Sequence, residues 1–215
     1  MQVKYAFASV AGLAWLSACA SSPPLQKYVA DDGTACVADR DALMHLDFWT
    51  FDQDPERGIR KVLDKQGCDL AAADLMADYH ARLIEKGERV AYKFPDQEVV
   101  FSETGEVGML YWHEGQVRAF AGQTDRAVEL FRKSIAADLY DNAAKKHYAL
   151  ATIAFLQHDK DALLAERGAL AGIAPENDLN LGVVDGLVAC FGKSYKVAYG
   201  APECDRRPGR TPAAP

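Results

Sequence analysis

Five histidines, five cysteines and 31 acidic residues are the metal-ligating side chains of this 215-residue chain and among its candidate catalytic groups. The histidines, His45, His80, His113, His147 and His158, show no metal-ligand spacing. His113-Glu114 is followed by Gly115-Gln116-Val117, so the HExxH arrangement that sets two imidazoles on one helix face around a zinc is absent. No nucleophile elbow, P-loop or G-x-G-x-x-G occurs, and Gly182-Val183-Val184-Asp185-Gly186 reads as helix, not as a phosphate loop. Carboxylates are so numerous that no two stand out as the acid and base of a hydrolase. The residue types therefore nominate no catalytic group, no metal and no cofactor.

The cysteines are more informative. Cys19 lies at the end of an apolar leader, and four others remain: Cys36, Cys68, Cys190 and Cys204. None belongs to a CxxC, which argues against a thioredoxin-like site or a zinc ribbon. An even number in an oxidising compartment reads as two disulfides, with three possible connectivities. Cys36–Cys68 and Cys190–Cys204 are favoured, because each pair brackets one end of the helical region.

Hydrophobic content of 49% and charged content of 26% are those of a globular protein with room for one domain. A formal net charge of −7 argues against nucleic acid as a partner, which demands a dense basic face. It also disfavours docking of the body on anionic lipid, so membrane attachment is expected through an N-terminal anchor alone. Met1–Tyr5 carries Lys4, and Ala6–Leu16 is an apolar run too short to span a bilayer. The run ends in Leu16-Ser17-Ala18-Cys19, which resembles the lipobox of bacterial lipoproteins. The resemblance implies a signal peptide over residues 1–18 and lipidation of Cys19. With Ala20 following, it also implies an outer-membrane protein facing the periplasm. Ala18-Cys19-Ala20 also fits the A-x-A rule of an ordinary secretory signal, which would discard Cys19.

Residues 19–35 read as a flexible tether, with Pro23-Pro24 and small polar side chains in Ala20–Val29 offering nothing to pack. From there to residue 204 the chain reads as one all-α domain. Asp39 is placed to cap a helix Arg40–Phe48, and Pro55 to open a helix Glu56–Lys65. Asp69–Lys86 carries an apolar stripe of Ala72, Leu75, Met76, Tyr79 and Leu83. Glu88–Gly105 reads as an irregular connection with an extended piece at Glu98–Phe101. Helices follow at Val107–Ala121, Thr124–Ala137, Asp141–Leu156, Asp159–Ala171 and, last, Leu179–Phe191. Asp205–Pro215 reads as a disordered tail.

In Leu110–Asp138, Tyr111, Gly115, Gly122, Ala127, Phe131 and Ser134 fall at the aromatic, glycine, turn, A-x3-F and small-residue positions of a helix-pair repeat. The segment thereby resembles the tetratricopeptide repeat family. Two departures are Glu114, where an apolar residue is usual, and Leu139 in place of proline. Ala162 repeats the frame one period later, with Ala149 and Leu150 upstream, Pro175 near the end and Glu166 at the aromatic position. Ala72, with Gly67 and Met76, repeats it upstream of the Glu88–Gly105 insertion. The resemblance covers Glu56–Pro175. It implies a short α-solenoid of about three degenerate helix pairs, with N- and C-terminal capping helices; a generic helical bundle would satisfy the same glycines and alanines.

The resemblance also implies a concave groove lined by the first helix of each pair. In this chain those helices present Arg57, Lys61 and Lys65, spaced to share one face. They also present Trp112, His113, Gln116 and Phe120, and then His147, Tyr148 and Phe155. A basic stripe beside aromatics would suit an acidic or C-terminal peptide segment. The expected function is a lipid-anchored scaffold that binds another envelope protein or peptide and has no catalysis of its own. The alternative is a periplasmic cell-wall hydrolase, or its inhibitor, with an unrecognised site.

Overall fold

The computed structural model describes residues 25–30, 32–86, 91–94, 97–100, 103–137, 143–175 and 178–210. The expected leader with Cys19, residue Leu139 and residues 211–215 lie outside this set. The protein is all-α, with ten helices among the described residues and two small hairpins.

Short polar residues start its helices. Asp39 accepts a hydrogen bond from the Ala42 amide at 2.9 Å and opens α1 (Arg40–Met44). Asp47 does the same for Thr50 at 3.0 Å and opens α2 (Phe48–Gln53), so the expected helix Arg40–Phe48 divides in two. Pro55 lies in a turn, because the Asp54 side chain accepts from the amides of Glu56 and Arg57 and holds them there. The third helix is correspondingly short, α3 (Ile59–Leu63). Arg57 precedes it and Lys65 follows it. The expected helical stripe of Arg57, Lys61 and Lys65 is thus not formed; Arg57 pairs with Asp54 and Lys65 with Glu56.

The end of the presumed tether is structured. β1 (Gln26–Val29) pairs antiparallel with β2 (Ala35–Ala38), with Tyr28 opposite Cys36. Alternation buries Cys36 and Ala38 on one face, and Tyr28 packs there too. Gln66 exchanges two 2.7 Å bonds with the backbone of Val37, fastening the hairpin beside Cys68.

α4 (Asp69–Lys86) buries its whole expected stripe. The Glu88–Gly105 connection contains not one extended piece but a second hairpin, β3 (Ala91–Phe94) with β4 (Gln97–Val100). α5 (Glu103–Phe120) therefore begins earlier than expected. It packs against both α4 and α6 (Thr124–Ala136). Gly115 allows the second contact: a Cβ there would lie 2.8 Å from the Phe131 ring. Ser134, wholly buried, donates to the Gly108 carbonyl at 2.7 Å and satisfies its hydroxyl across the same interface.

α7 (Ala143–Leu156) and α8 (Lys160–Ala171) form a second close pair, and α9 (Leu179–Ala189) covers both. The chain then adds an unexpected helix, α10 (Tyr195–Gly200). It returns to α5, and Lys196 reaches Asp69 at the head of α4 at 2.6 Å. The C-terminal end thus closes on the middle of the molecule instead of only covering the last pair. Residues 205–210 are not a free tail. Buried Asp205 takes Arg207 at 2.7 Å and Arg210 at 3.0 Å, and Gly182 leaves room for the backbone of Arg206 and Arg207 against α9.

Two apolar clusters result. One gathers β2 and α1–α4, the other gathers α6–α10. α5 is the wall between them, sending Leu110 and Val117 to the first and Trp112 and Ala119 to the second. The cysteines stand at disulfide distance as Cys36–Cys68 (Cα–Cα 6.5 Å) and Cys190–Cys204 (5.7 Å), one pair at each end of the described chain. Alkylation of the oxidised chain should find none of these four thiols free, and reduction should lower unfolding stability by roughly 3–4 kcal/mol per bridge, read by urea denaturation.

Candidate binding cleft and the polar network behind it

α5 carries an unusual edge for a helix at the centre of a fold. His113, Glu114 and Arg118 share it, and none of the three points freely into water. Glu114 is 3% exposed. Its Oε1 accepts from Arg118 Nε at 3.2 Å, one helical turn on, and its Oε2 lies 3.4 Å from His80 Nδ1 on α4. Arg118 spends its remaining donors on Asp74 (2.7 Å), Gln123 (2.8 Å) and the Ala73 carbonyl (3.4 Å). The misfit of Glu114 to the repeat pattern is thereby explained: the carboxylate stays inside because a cation is built in beside it.

Asp52, at the end of α2, is a second buried carboxylate beside this edge of α5. Its Oδ2 stands 2.8 Å from His113 Nδ1, and Gln53 donates to the same oxygen. Its backbone carbonyl accepts from Arg60 Nε at 3.0 Å. Burial, the largest single influence, pushes the Asp52 carboxyl upward. The charge and hydrogen bond of His113, with Gln53 and Arg60, outweigh it and hold the group below its ordinary value. For Glu114, too, burial pushes upward and His80 and Arg118 prevail. His80 moves the other way. Burial drives its imidazole down, against the pull of Glu114 and Asp52 and with the push of His113. His80 is thus neutral at pH 7, and the lasting counter-charge for Glu114 is Arg118.

In front of this network, α3, α4, α5 and α10 enclose a cleft of about 60 Å³ lined by Arg60, His113, Gln116, Phe120 and Tyr199 over Ile59, Leu63, Met76 and Val117. A second concavity, an open groove of about 420 Å³, runs where α6 meets the α7–α8 pair. Ile135, Leu150, Ile153 and Ala154 form its floor, and Arg132, Gln157, Asp159 and Glu166 its polar lining.

The residues expected on one groove are distributed differently. His113, Gln116 and Phe120 share the cleft. Trp112 turns to the opposite side of α5, its ring 4.6 Å from Phe131 and 5.0 Å from Tyr148; it and Tyr148 are buried, as is Phe155. His147 on α7 meets Glu166 on α8 at 2.6 Å. Lys61 lies in the middle of α3 and Arg57 and Lys65 flank that helix; none of the three is in the cleft lining. The sequence alone does not single out Asp52, Arg60 or His80. The i,i+4 spacing of Glu114 and Arg118 is a readable sign of the pair, and His80 extends the apolar stripe of α4 beside Met76. Asp52 joins them only through the fold.

Comparison with family models, with curated proteins and with solved structures gives no match for this chain.

The network fixes a pH dependence. His80 is held below its ordinary value of 6.5, so the unfolded chain takes the proton first. Stability should be full above pH 6.5 and fall as pH drops below it. Asp52 and Glu114, held below ordinary values of 3.8 and 4.5, should cause a further loss below about pH 4. Thermal melts between pH 8 and 3 should show both steps; His80→Asn should flatten the first and also reduce the part of the second that comes from Glu114.

Proposed function

We propose that this protein is a lipid-anchored, periplasm-facing scaffold of tetratricopeptide-like helix pairs that binds another envelope protein, or a peptide segment of one. The observation that carries the reading is the groove between α6 and the α7–α8 pair. Its apolar floor and mixed-charge rim are what a segment with alternating apolar and polar side chains needs. Several features support the remainder. α5 meets α6 with Gly115 against Phe131 and Ala127, and Ala149 is wholly buried on α7, at the small-residue positions the repeat pattern asks for. Cysteines paired at disulfide distance suit an oxidising compartment. No helix among the described residues is long and apolar enough to cross a membrane. The anchor in this reading is the lipobox cysteine, Cys19.

One observation favours a second reading, a periplasmic cell-wall hydrolase or its inhibitor. Asp52 orients the His113 imidazole at the cleft, as a carboxylate orients a general base. No serine, threonine or cysteine side chain is among the residues lining that cleft.

A single cell-based experiment separates these readings. A photo-crosslinking residue at Gln157, in the groove, should capture one reproducible envelope partner, and Ile135→Glu should abolish the capture. Cys19→Ala should move the protein out of the membrane fraction. No partner, together with cleavage of cell-wall material that His113→Asn removes, would establish the second reading instead. An unchanged membrane fraction would sink the anchor.

A further inference from the structure

The cleft between α3, α5 and α10 has two donors fixed from behind by one residue. The Asp52 carbonyl holds Arg60 through Nε at 3.0 Å, and the Asp52 carboxylate faces His113 Nδ1 at 2.8 Å. Both side chains line the cleft. Arg60 Nη1 and Nη2 have no partner among the described residues, and Nε2 is the one polar atom of the His113 ring not turned to Asp52. Gln116 adds an amide beside them; the rest of the wall is apolar or aromatic. Asp52 is 1% exposed and committed to His113 and Gln53, so it does not present its charge to the opening.

We propose that this cleft is a carboxylate-binding site. The Arg60 fork donates to the ligand's oxygens, and His113 Nε2 and the Gln116 amide complete the shell. Two considerations select a carboxylate over a larger anion. A planar guanidinium matches a planar carboxylate in paired hydrogen bonds. A volume of about 60 Å³ admits a carboxyl and its adjoining carbon, a few waters' worth, and no larger ligand body.

A carboxylate of this kind can be the C-terminus of a partner or an Asp or Glu side chain. The test uses the mature chain carrying Cys19→Ala, followed by NMR of the His113 ring. Acetate should shift those signals saturably and acetamide should not. The peptides Ac-Ala-Ala-Ala-OH and Ac-Ala-Asp-Ala-NH2 separate the two sources: tighter binding of the first marks a chain terminus, and of the second a side chain. Arg60→Gln should weaken acetate binding at least tenfold. Gln116→Glu, which puts a competing carboxylate into the cleft without touching Asp52, should do the same if Arg60→Gln fails to fold. No saturable shift with any carboxylate, an equal shift with acetamide, or a folded Arg60→Gln chain that binds acetate as tightly as the parent would overturn the proposal. The cleft is separate from the α6–α7–α8 groove, so failure to capture a partner there leaves this result unaffected.

Discussion

The pairing of Glu114 with Arg118 inside the molecule is the constraint on which the rest depends. Taking a carboxylate and a guanidinium out of water costs several kcal/mol for each ion, and their attraction offsets that cost only with good geometry and further hydrogen bonds. Here Arg118 also reaches Asp74, Gln123 and the Ala73 carbonyl, so α4, α5 and the turn before α6 are joined at one guanidinium. Sliding α5 against α4 would separate Arg118 from Asp74 and the Ala73 carbonyl and Glu114 from His80, so this network favours the register observed.

That register sets what each face of α5 does. With Glu114 and Arg118 directed at α4, Trp112 is turned toward Phe131 and Tyr148, and His113 toward Asp52. Gln116 and Phe120 then face α3 and α10 across the cleft. The helix that joins two apolar clusters is thus also the one that carries most of the cleft's polar lining. α10 completes the enclosure, and Lys196 bonded to Asp69 holds it to α4.

Most helices were legible in the sequence, because period-3.6 stripes and aspartate caps are local signals. Asp39 capping α1 and the stripe of α4 are of this kind. The errors fall where tertiary contacts override local pattern. Residues 26–29 look like tether by composition, yet they pair with β2 once Gln66 and Cys68 hold that strand. Residues 205–210 look like tail, yet Asp205 gathers two arginines. Pro55 looks like a helix start, but the side chain of Asp54 keeps it in a turn. Of the cleft, His113, Gln116 and Phe120 were legible as one helix face. Asp52 and Arg60 were not, since nothing local marks residues that meet α5 only through the packing of α2 and α3.

A double-mutant cycle on Glu114→Ala and Arg118→Ala, read by urea unfolding of the oxidised chain, tests this account most directly. Arg118→Ala strands the Glu114 carboxylate with only His80 beside it and should be strongly destabilising, whereas Glu114→Ala leaves Arg118 its bonds to Asp74 and Gln123 and should cost less. The double variant should lose much less than the sum, with a coupling near the upper end of the usual range of about 0.5–3 kcal/mol. Additive losses would show that the two side chains do not sustain one another in the core, and would contradict the account.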